Sequence, residues 1–179
     1  MNDNLHYKGF SWSHIFINSD SNIEGLAYHQ VVSVFQEKDK PKMNVNAFVD
    51  EDDKAMIKMK AKEEGIYLFG GICGSGYVPN NMYVMKFNSD HYGKKNMKFA
   101  KLNTVGERPD SRAHHSMTHF EKHNLIIIHG GRNDNYKKLY YNDLHILDTC
   151  NMNWCNVSFS KPMMYRSSHN AAMIDNVYY

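Results

Sequence analysis

Two adjacent glycines recur in the same setting 60 positions apart, each directly after an apolar run. Ile66-Tyr67-Leu68-Phe69 leads into Gly70-Gly71, and Leu125-Ile126-Ile127-Ile128-His129 leads into Gly130-Gly131. Self-similarity at a fixed period marks a repeat architecture, in which each unit is one supersecondary element that buries its apolar face only against its neighbours. Such a chain folds as a stack or ring of like sheets, and its function is then a matter of what that stack presents to a partner.

More of the unit surrounds the glycines. Downstream of each pair a polar loop precedes a strand-like segment, Asn80 to Phe87 in one copy and Tyr141 to Asp148 in the other. An aromatic-centred segment follows, with Phe99 in the first and Trp154 in the second. After a Pro-containing loop comes a segment holding a histidine, Arg112-Ala113-His114-His115 and then Arg166-Ser167-Ser168-His169. An earlier copy of this last pair is Trp12 followed by His29. The spacing from aromatic to histidine is 17, 16 and 15 residues for Trp12–His29, Phe99–His115 and Trp154–His169. The segments are short, rich in Ile, Val, Tyr and Phe, and bounded by Gly, Asn, Asp, Ser or Pro, which is the strand signature. No window sustains a 3.6-residue apolar period, and the one stretch that could make a short helix is Glu51 to Glu64.

This combination resembles the kelch repeat: a histidine strand preceded by Arg, a strand ending in Gly-Gly, a strand with an Asn-Asp-Leu element and a Trp strand. The resemblance covers nearly the whole chain except about residues 37–63. It implies an all-β fold, a kelch β-propeller fragment of four-stranded antiparallel blades. Residues 1–25 are then the outer strand of a preceding blade and 26–103 a blade with a charged insertion at about 37–63. Residues 104–159 are a complete blade, and 160–179 the start of a third, truncated one. Propellers close with 4–8 blades, so under three blades leave the ring open in this chain. The expectation is a piece of a longer protein or a truncated product, with open sheet edges prone to self-association. The pattern departs at four places: Phe99 for Trp, Leu26 for the Arg of Arg112 and Arg166, Met82 opposite Asp143, and His29 lying 41 residues before Gly70 where His115 lies 15 before Gly130. The last difference measures the insertion. It reads as a solvated extension of a hairpin or, in the sharper reading, as a partner-binding element.

The repeated residues have structural readings. Gly70, Gly71, Gly130 and Gly131 let the backbone turn sharply and approach a neighbouring strand; a phosphate loop would need a following helix and a Lys-Ser/Thr pair, which are missing. Trp12, Phe99 and Trp154 suit packing between blades. His29, His115 and His169 are repeat positions. Arg112 and Arg166 can each offer five N–H donors to backbone carbonyls, or line the mouth of a channel. His115, His119 and His123 are spaced by four, but four residues of strand span about 13 Å, too far for one zinc to bridge. No metal and no cofactor is expected. The resemblance also reaches propeller enzymes, both copper oxidases of the galactose oxidase type and propellers fused to catalytic domains such as phosphatases. Yet this chain has no converging ligand set, no nucleophile elbow and no nucleotide loop.

Composition narrows the partners. Lysine and arginine number 21 against 19 acidic residues, a net charge of +2 with no dense basic stripe. Nucleic acid is therefore not favoured as a partner. No apolar run is long enough for a membrane span, and the start lacks the features of a signal peptide. Three unpaired-looking cysteines, Cys73, Cys150 and Cys155, fit a reducing compartment, hence the cytoplasm. In an antiparallel meander, the loops between second and third strands share a face with the inter-blade connections. That face collects Tyr77, Arg108, Arg132, Tyr136, Tyr140 and Tyr165, residue types enriched at binding hot spots. The expected function is a protein–protein interaction module, an adaptor or scaffold that takes a peptide or protein partner through its loops.

Overall fold

The computed structural model describes residues 16–17, 25–35, 61–77, 79–89, 95–136 and 139–179. Trp12, the rest of the first outer strand and most of the 37–63 insertion lie outside the described residues. So does the proposed helical stretch, save for Ala61 to Glu64, which are not helical.

Strands β1 (Phe16–Ile17), β2 (Gln30–Val34), β3 (Gly65–Phe69), β6 (Met82–Ser89) and β7 (Lys95–Lys101) form one sheet in the order β1-β7-β6-β3-β2. Strands β8 (Val105–Gly106), β9 (Ser116–Phe120), β10 (Leu125–His129), β13 (Leu144–Asp148) and β14 (Asn153–Asn156) form a second, ordered β8-β14-β13-β10-β9. Each is a four-stranded antiparallel meander, a blade, with a short fifth strand added parallel to its outer edge. These fifth strands, β1 and β8, are inter-blade connections that cover part of the next blade's outer edge, a sheet margin that would otherwise offer unpaired N–H and C=O groups. The loop after each Gly-Gly folds back into a two-residue hairpin, β4 (Ile72–Cys73) with β5 (Gly76–Tyr77), and β11 (Arg132–Asn133) with β12 (Leu139–Tyr140). A last hairpin joins β15 (Met173–Ile174) and β16 (Val177–Tyr178) through Asp175 and Asn176, both at positive φ, the two-residue turn whose twist matches paired strands.

The apolar pattern explains which strands lie deepest. In β10, Ile126, Ile127 and Ile128 are all buried, because the second strand of a blade is covered on both faces by neighbours, so its side chains need not alternate. In β2, which lacks a described blade on one side, Val31 is exposed and Val34 is buried. One core cluster runs through both blades, taking Val34, Tyr67, Phe69, Met82, Val84 and Leu102 from the first and Met117, Ile126, Ile128, Leu147, Met152 and Trp154 from the second. Trp154 packs its ring 6.0 Å from Phe69 across the blade boundary. Phe99, its counterpart in the first blade, is only half-buried. The blades do not close into a ring within the described residues. Two short 3-10 turns, Glu121–His123 and Asp134–Tyr136, are the helical segments among the described residues, and no described helix is long and apolar enough to cross a membrane.

The glycine pairs sit where backbones of successive units meet. Gly71 N–H donates to the Arg112 carbonyl at 2.9 Å, and Gly131 N–H to the Arg166 carbonyl at 2.8 Å. A Cβ on Gly70 would fall 2.3 Å from that Arg112 oxygen, and one on Gly130 would fall 2.6 Å from the Arg166 oxygen. Both first glycines also hold left-handed φ, +66° and +61°. Gly70→Ala therefore combines a strained backbone with a backbone clash, and is expected to cost about 3 kcal/mol or more. Gly25→Ala, where nothing lies within 4 Å, should stay within about 0.5 kcal/mol of the parent. Urea unfolding of the two variants checks the contrast.

Candidate interaction face

Three successive repeat units place the residue just before the repeat histidine in the left-handed region: Tyr28 at φ 59°, His114 at 56° and Ser168 at 56°. These residues link into a backbone chain from unit to unit. His114 N–H donates to the Tyr28 carbonyl at 3.2 Å, and Ser168 N–H to the His114 carbonyl at 2.8 Å. The side chains meet as well. Tyr28 and His114 stack with centroids 4.0 Å apart and planes 25° from parallel, and Ser168 Oγ lies 3.1 Å from His114 Nδ1. Burial pushes the His114 pKa down, and the Arg132 charge adds to that against the opposing pull of Asp134.

Beside this row, residues of both blades converge. Arg132 Nη2 is 3.5 Å from His114 Nε2, and Arg132 Nε is 3.3 Å from Asp134 Oδ2. A hydrogen bond with Tyr140, its strand partner, is the main reason the Arg132 pKa lies above its ordinary value. From the first blade, the Tyr77 hydroxyl accepts the Asp134 backbone N–H at 3.0 Å. Tyr77, Arg132 and Tyr140 are thus gathered into one cluster, and Tyr136 closes the same 3-10 turn. Tyr165 is exposed next to Arg166, whose N–H donates to the Tyr141 carbonyl at 3.2 Å. Arg108 is exposed on the inter-blade connection, and its guanidinium bonds the Thr104 carbonyl of its own loop. Tyr28, His114, Ser168 and Asp134 were not singled out from sequence. The one available signal was their place, immediately ahead of the repeat histidine or inside the loop after Gly-Gly.

The buried repeat residues support this face. Arg112 is fully buried. Its guanidinium meets Asp143 with two bonds, 2.5 Å to Oδ1 and 2.8 Å to Oδ2, and also donates to the Gly130 and Asp110 carbonyls at 3.0 Å each. It lies 3.8 Å over the Tyr141 ring. Asp143 accepts further from His145 Nε2 at 3.1 Å, and His145 Nδ1 reaches the Glu107 carbonyl at 2.9 Å. Burial alone would push the Asp143 carboxyl up, but hydrogen bonds from Arg112 and His145 together outweigh it and hold it well below the usual carboxylate range. Arg166 repeats part of this pattern, with Nε 3.4 Å from the Met164 carbonyl, but is exposed.

The repeat histidines act as aromatic filler. His115 lies edge-on to Phe69 at 5.6 Å, and His129 edge-on to His169 at 5.0 Å. Neither ring nitrogen of His115 has a hydrogen-bond partner among the described residues. Burial first, then the Arg112 charge, pushes the His115 pKa down to about 3; burial and then His169 push His129 down to about 4. Among the described residues no three His, Cys, Asp or Glu come together in a way that could hold a metal ion.

Two outcomes follow from these contacts. Arg112→Leu leaves Asp143 half-buried without its partner and should cost about 3–5 kcal/mol, while the pair Arg112→Leu with Asp143→Met, which copies Leu26 and Met82 of the first blade, should recover much of that loss in a double-mutant unfolding cycle. The neutral form of His115 and His129 is favoured in the fold, so the unfolded chain takes up their protons first as pH falls. Stability should be at its full value above pH 6.5 and drain away below it, down to about 4 for His129 and about 3 for His115, by about 1.4 kcal/mol per pH unit for each proton. His129→Phe, matching Phe69, should remove one proton's share of that slope in urea titrations at successive pH values.

A family profile described as the KLHDC2/KLHL20/DRC7 Kelch-repeats domain matches residues 27–179. Host cell factor homolog hcf-1 of Caenorhabditis elegans is 27% identical over 130 residues, covering 63% of this chain and 15% of that protein. Among solved structures, a chain of the cryo-EM structure of RAG in complex with one melted RSS and one unmelted RSS superposes with a TM-score of 0.61 at 15% identity, over 90% of this chain and 44% of that one. The structure of YjhT gives a TM-score of 0.43 at 19% identity, over 63% of this chain and 34% of that one. The chain thus spans under half of the proteins it is compared with. With the Gly-Gly crossings, the meander blades and the matched repeat residues together, the chain belongs to the KLHDC2/KLHL20/DRC7 Kelch-repeats domain family.

Proposed function

We propose that this chain is a protein-interaction module, an adaptor or scaffold portion that takes a peptide or a protein loop across the face built by Tyr28, His114, Ser168, Tyr77, Arg132 and Tyr140. The observation that carries the reading is the convergence of side chains from three repeat units beside a shared backbone row. That arrangement gives a rigid platform, so little ordering entropy is lost on binding. Exposed tyrosines and one arginine supply the large flat surfaces and multiple donors that dominate interface energetics. Arg108, Tyr136 and Tyr165 form its rim in this reading. Membership of the kelch-repeat family, whose domains generally bind proteins and are generally not catalytic, supports it, as does the likeness to a host cell factor homologue. The division into a preceding outer strand (1–25), two blades (26–103 and 104–159) and the start of a third (160–179), the cytoplasmic location, and self-association through uncovered strands such as β2, where Val31 and, just after the strand, Phe35 are exposed, belong to the same proposal.

The enzyme alternative makes a different demand, since an oxidase would carry stoichiometric copper or iron after purification and an adaptor would not. Selection of a displayed random peptide library on the folded chain, followed by calorimetry with the consensus peptide, tests the face itself. Arg132→Glu should weaken that peptide about tenfold or more, equivalent to about 1.4 kcal/mol, with an unchanged circular dichroism spectrum. Glu121→Lys, in the Glu121–His123 turn, should leave affinity unchanged. Equal binding by Arg132→Glu and the parent would remove this face from consideration.

A further inference from the structure

Hydrogen-bond polarity sorts the groups of the Tyr/Arg cluster into donors and acceptors. Arginine can only donate, so Arg132 Nη2, 3.5 Å from His114 Nε2, makes that nitrogen the acceptor. Burial and the Arg132 charge favour the neutral His114 ring, and a neutral imidazole that accepts at Nε2 carries its proton on Nδ1. His114 Nδ1–H therefore donates to Ser168 Oγ at 3.1 Å. Two phenols are also acceptors. The Tyr77 hydroxyl takes the Asp134 N–H at 3.0 Å, and that of Tyr140 is bonded by Arg132. Each of these three hydroxyls serves as an acceptor within the fold, which leaves its hydrogen as the donor it offers a ligand. The acceptors beside them are used internally. The Tyr28, His114, Ala113 and Arg132 carbonyls each take a backbone N–H, at 3.2, 2.8, 2.9 and 3.0 Å. Asn133 Oδ1 takes the Asn135 N–H at 3.1 Å, and the Asp134 carboxylate pairs with Arg132, cancelling its charge.

Building on the partner-binding reading of this face, we propose that its ligand is a proline-rich segment in the polyproline II conformation. A proline contributes a carbonyl and no N–H. Such a segment brings acceptors to a face that offers donors. It brings no N–H of its own to be desolvated without a partner, the loss that weighs most at an interface. The polyproline II helix makes no internal hydrogen bonds, so its carbonyls are open to outside donors. Its rings need flat apolar partners, and Tyr28, stacked on His114, is exposed, as are Tyr140 and Tyr165. Aromatic-lined surfaces take polyproline segments in this way. The chain from Arg132 through His114 to Ser168 begins at a cation and polarises each successive donor. A preformed helix docking on a row held by backbone bonds loses little conformational freedom.

The test is calorimetry on the full chain at low and at physiological salt, with three capped decamers as probes: all proline, alternating glycine and serine, and alternating glycine and glutamate. The proline decamer should bind saturably with Kd on the order of hundreds of micromolar. Because the ligand is uncharged, that Kd should change less than about twofold with salt. The glycine–serine decamer, which has N–H groups and no rings, should bind at least about tenfold more weakly. Ser168→Ala and Tyr77→Phe each remove one donor and should each weaken the proline decamer about fivefold, with the thermal midpoint in place. The proposal is overturned by the absence of saturable binding of the proline decamer or by equal binding of the glycine–serine decamer. Tighter, salt-sensitive binding of the glutamate decamer, or single-donor variants that bind as the parent does, also overturns it. A proline-free consensus from the displayed library that loses affinity with Arg132→Glu overturns this inference and leaves the partner-binding reading standing. Library and proline peptides that both bind Arg132→Glu as they bind the parent remove the two together.

Discussion

The close crossing of backbones at each glycine pair is the contact on which this architecture rests. A carbonyl from the next unit, that of Arg112 or Arg166, sits where a Cβ would be, and the following glycine N–H bonds to it. Removing two side chains lets neighbouring units share hydrogen bonds as well as apolar faces. Neighbouring units are thereby joined by directional bonds at the glycine pairs, while the non-directional packing of Phe69, Trp154 and their neighbours forms the core that both blades share. Neither would suffice alone: apolar faces slide, and a few backbone bonds contribute little net free energy in water.

The two blades solve one packing problem in different ways. In the second, Arg112, Asp143, Tyr141 and His145 form a closed polar network beneath the loop face. In the first, Leu26 stands at the arginine position and Met82, fully buried, at that of the aspartate. Both members of the charge pair are exchanged together. An unpaired buried charge is far costlier than either a complete ion pair or an apolar pair, so the site tolerates two states and not the intermediates. The polar version also ties down two carbonyls, those of Gly130 and Asp110, through the Arg112 guanidinium.

Much of the fold was legible because strand composition and glycine placement are local signals. Leu125 to His129 and the matching run at Ile66 to Phe69 read as strands from their composition and from the glycines that end them. The network at Arg112 was half legible: its carbonyl partners were anticipated, but the pairing with Asp143, 31 residues away, depends on tertiary register that no local pattern encodes. The left-handed residues were invisible for a plainer reason. Tyr28, His114 and Ser168 are three different residue types, none the glycine that normally announces positive φ, and their conformation is imposed by bonds from neighbouring units. The small hairpins after each Gly-Gly, and the parallel fifth strands at the outer edges, involve two residues each, too few for an alternating pattern to register.

That inner row has a consequence for how such a surface changes over time. Because Tyr28, His114 and Ser168 are joined through main-chain atoms, a tyrosine, an imidazole and a hydroxyl occupy equivalent seats without altering the joint between them. Each unit can therefore exchange the one side chain it contributes to the row while the main-chain bonds to its neighbours stay in place. The row thereby separates the joint between units, which is made of main-chain atoms, from the side chains displayed along it.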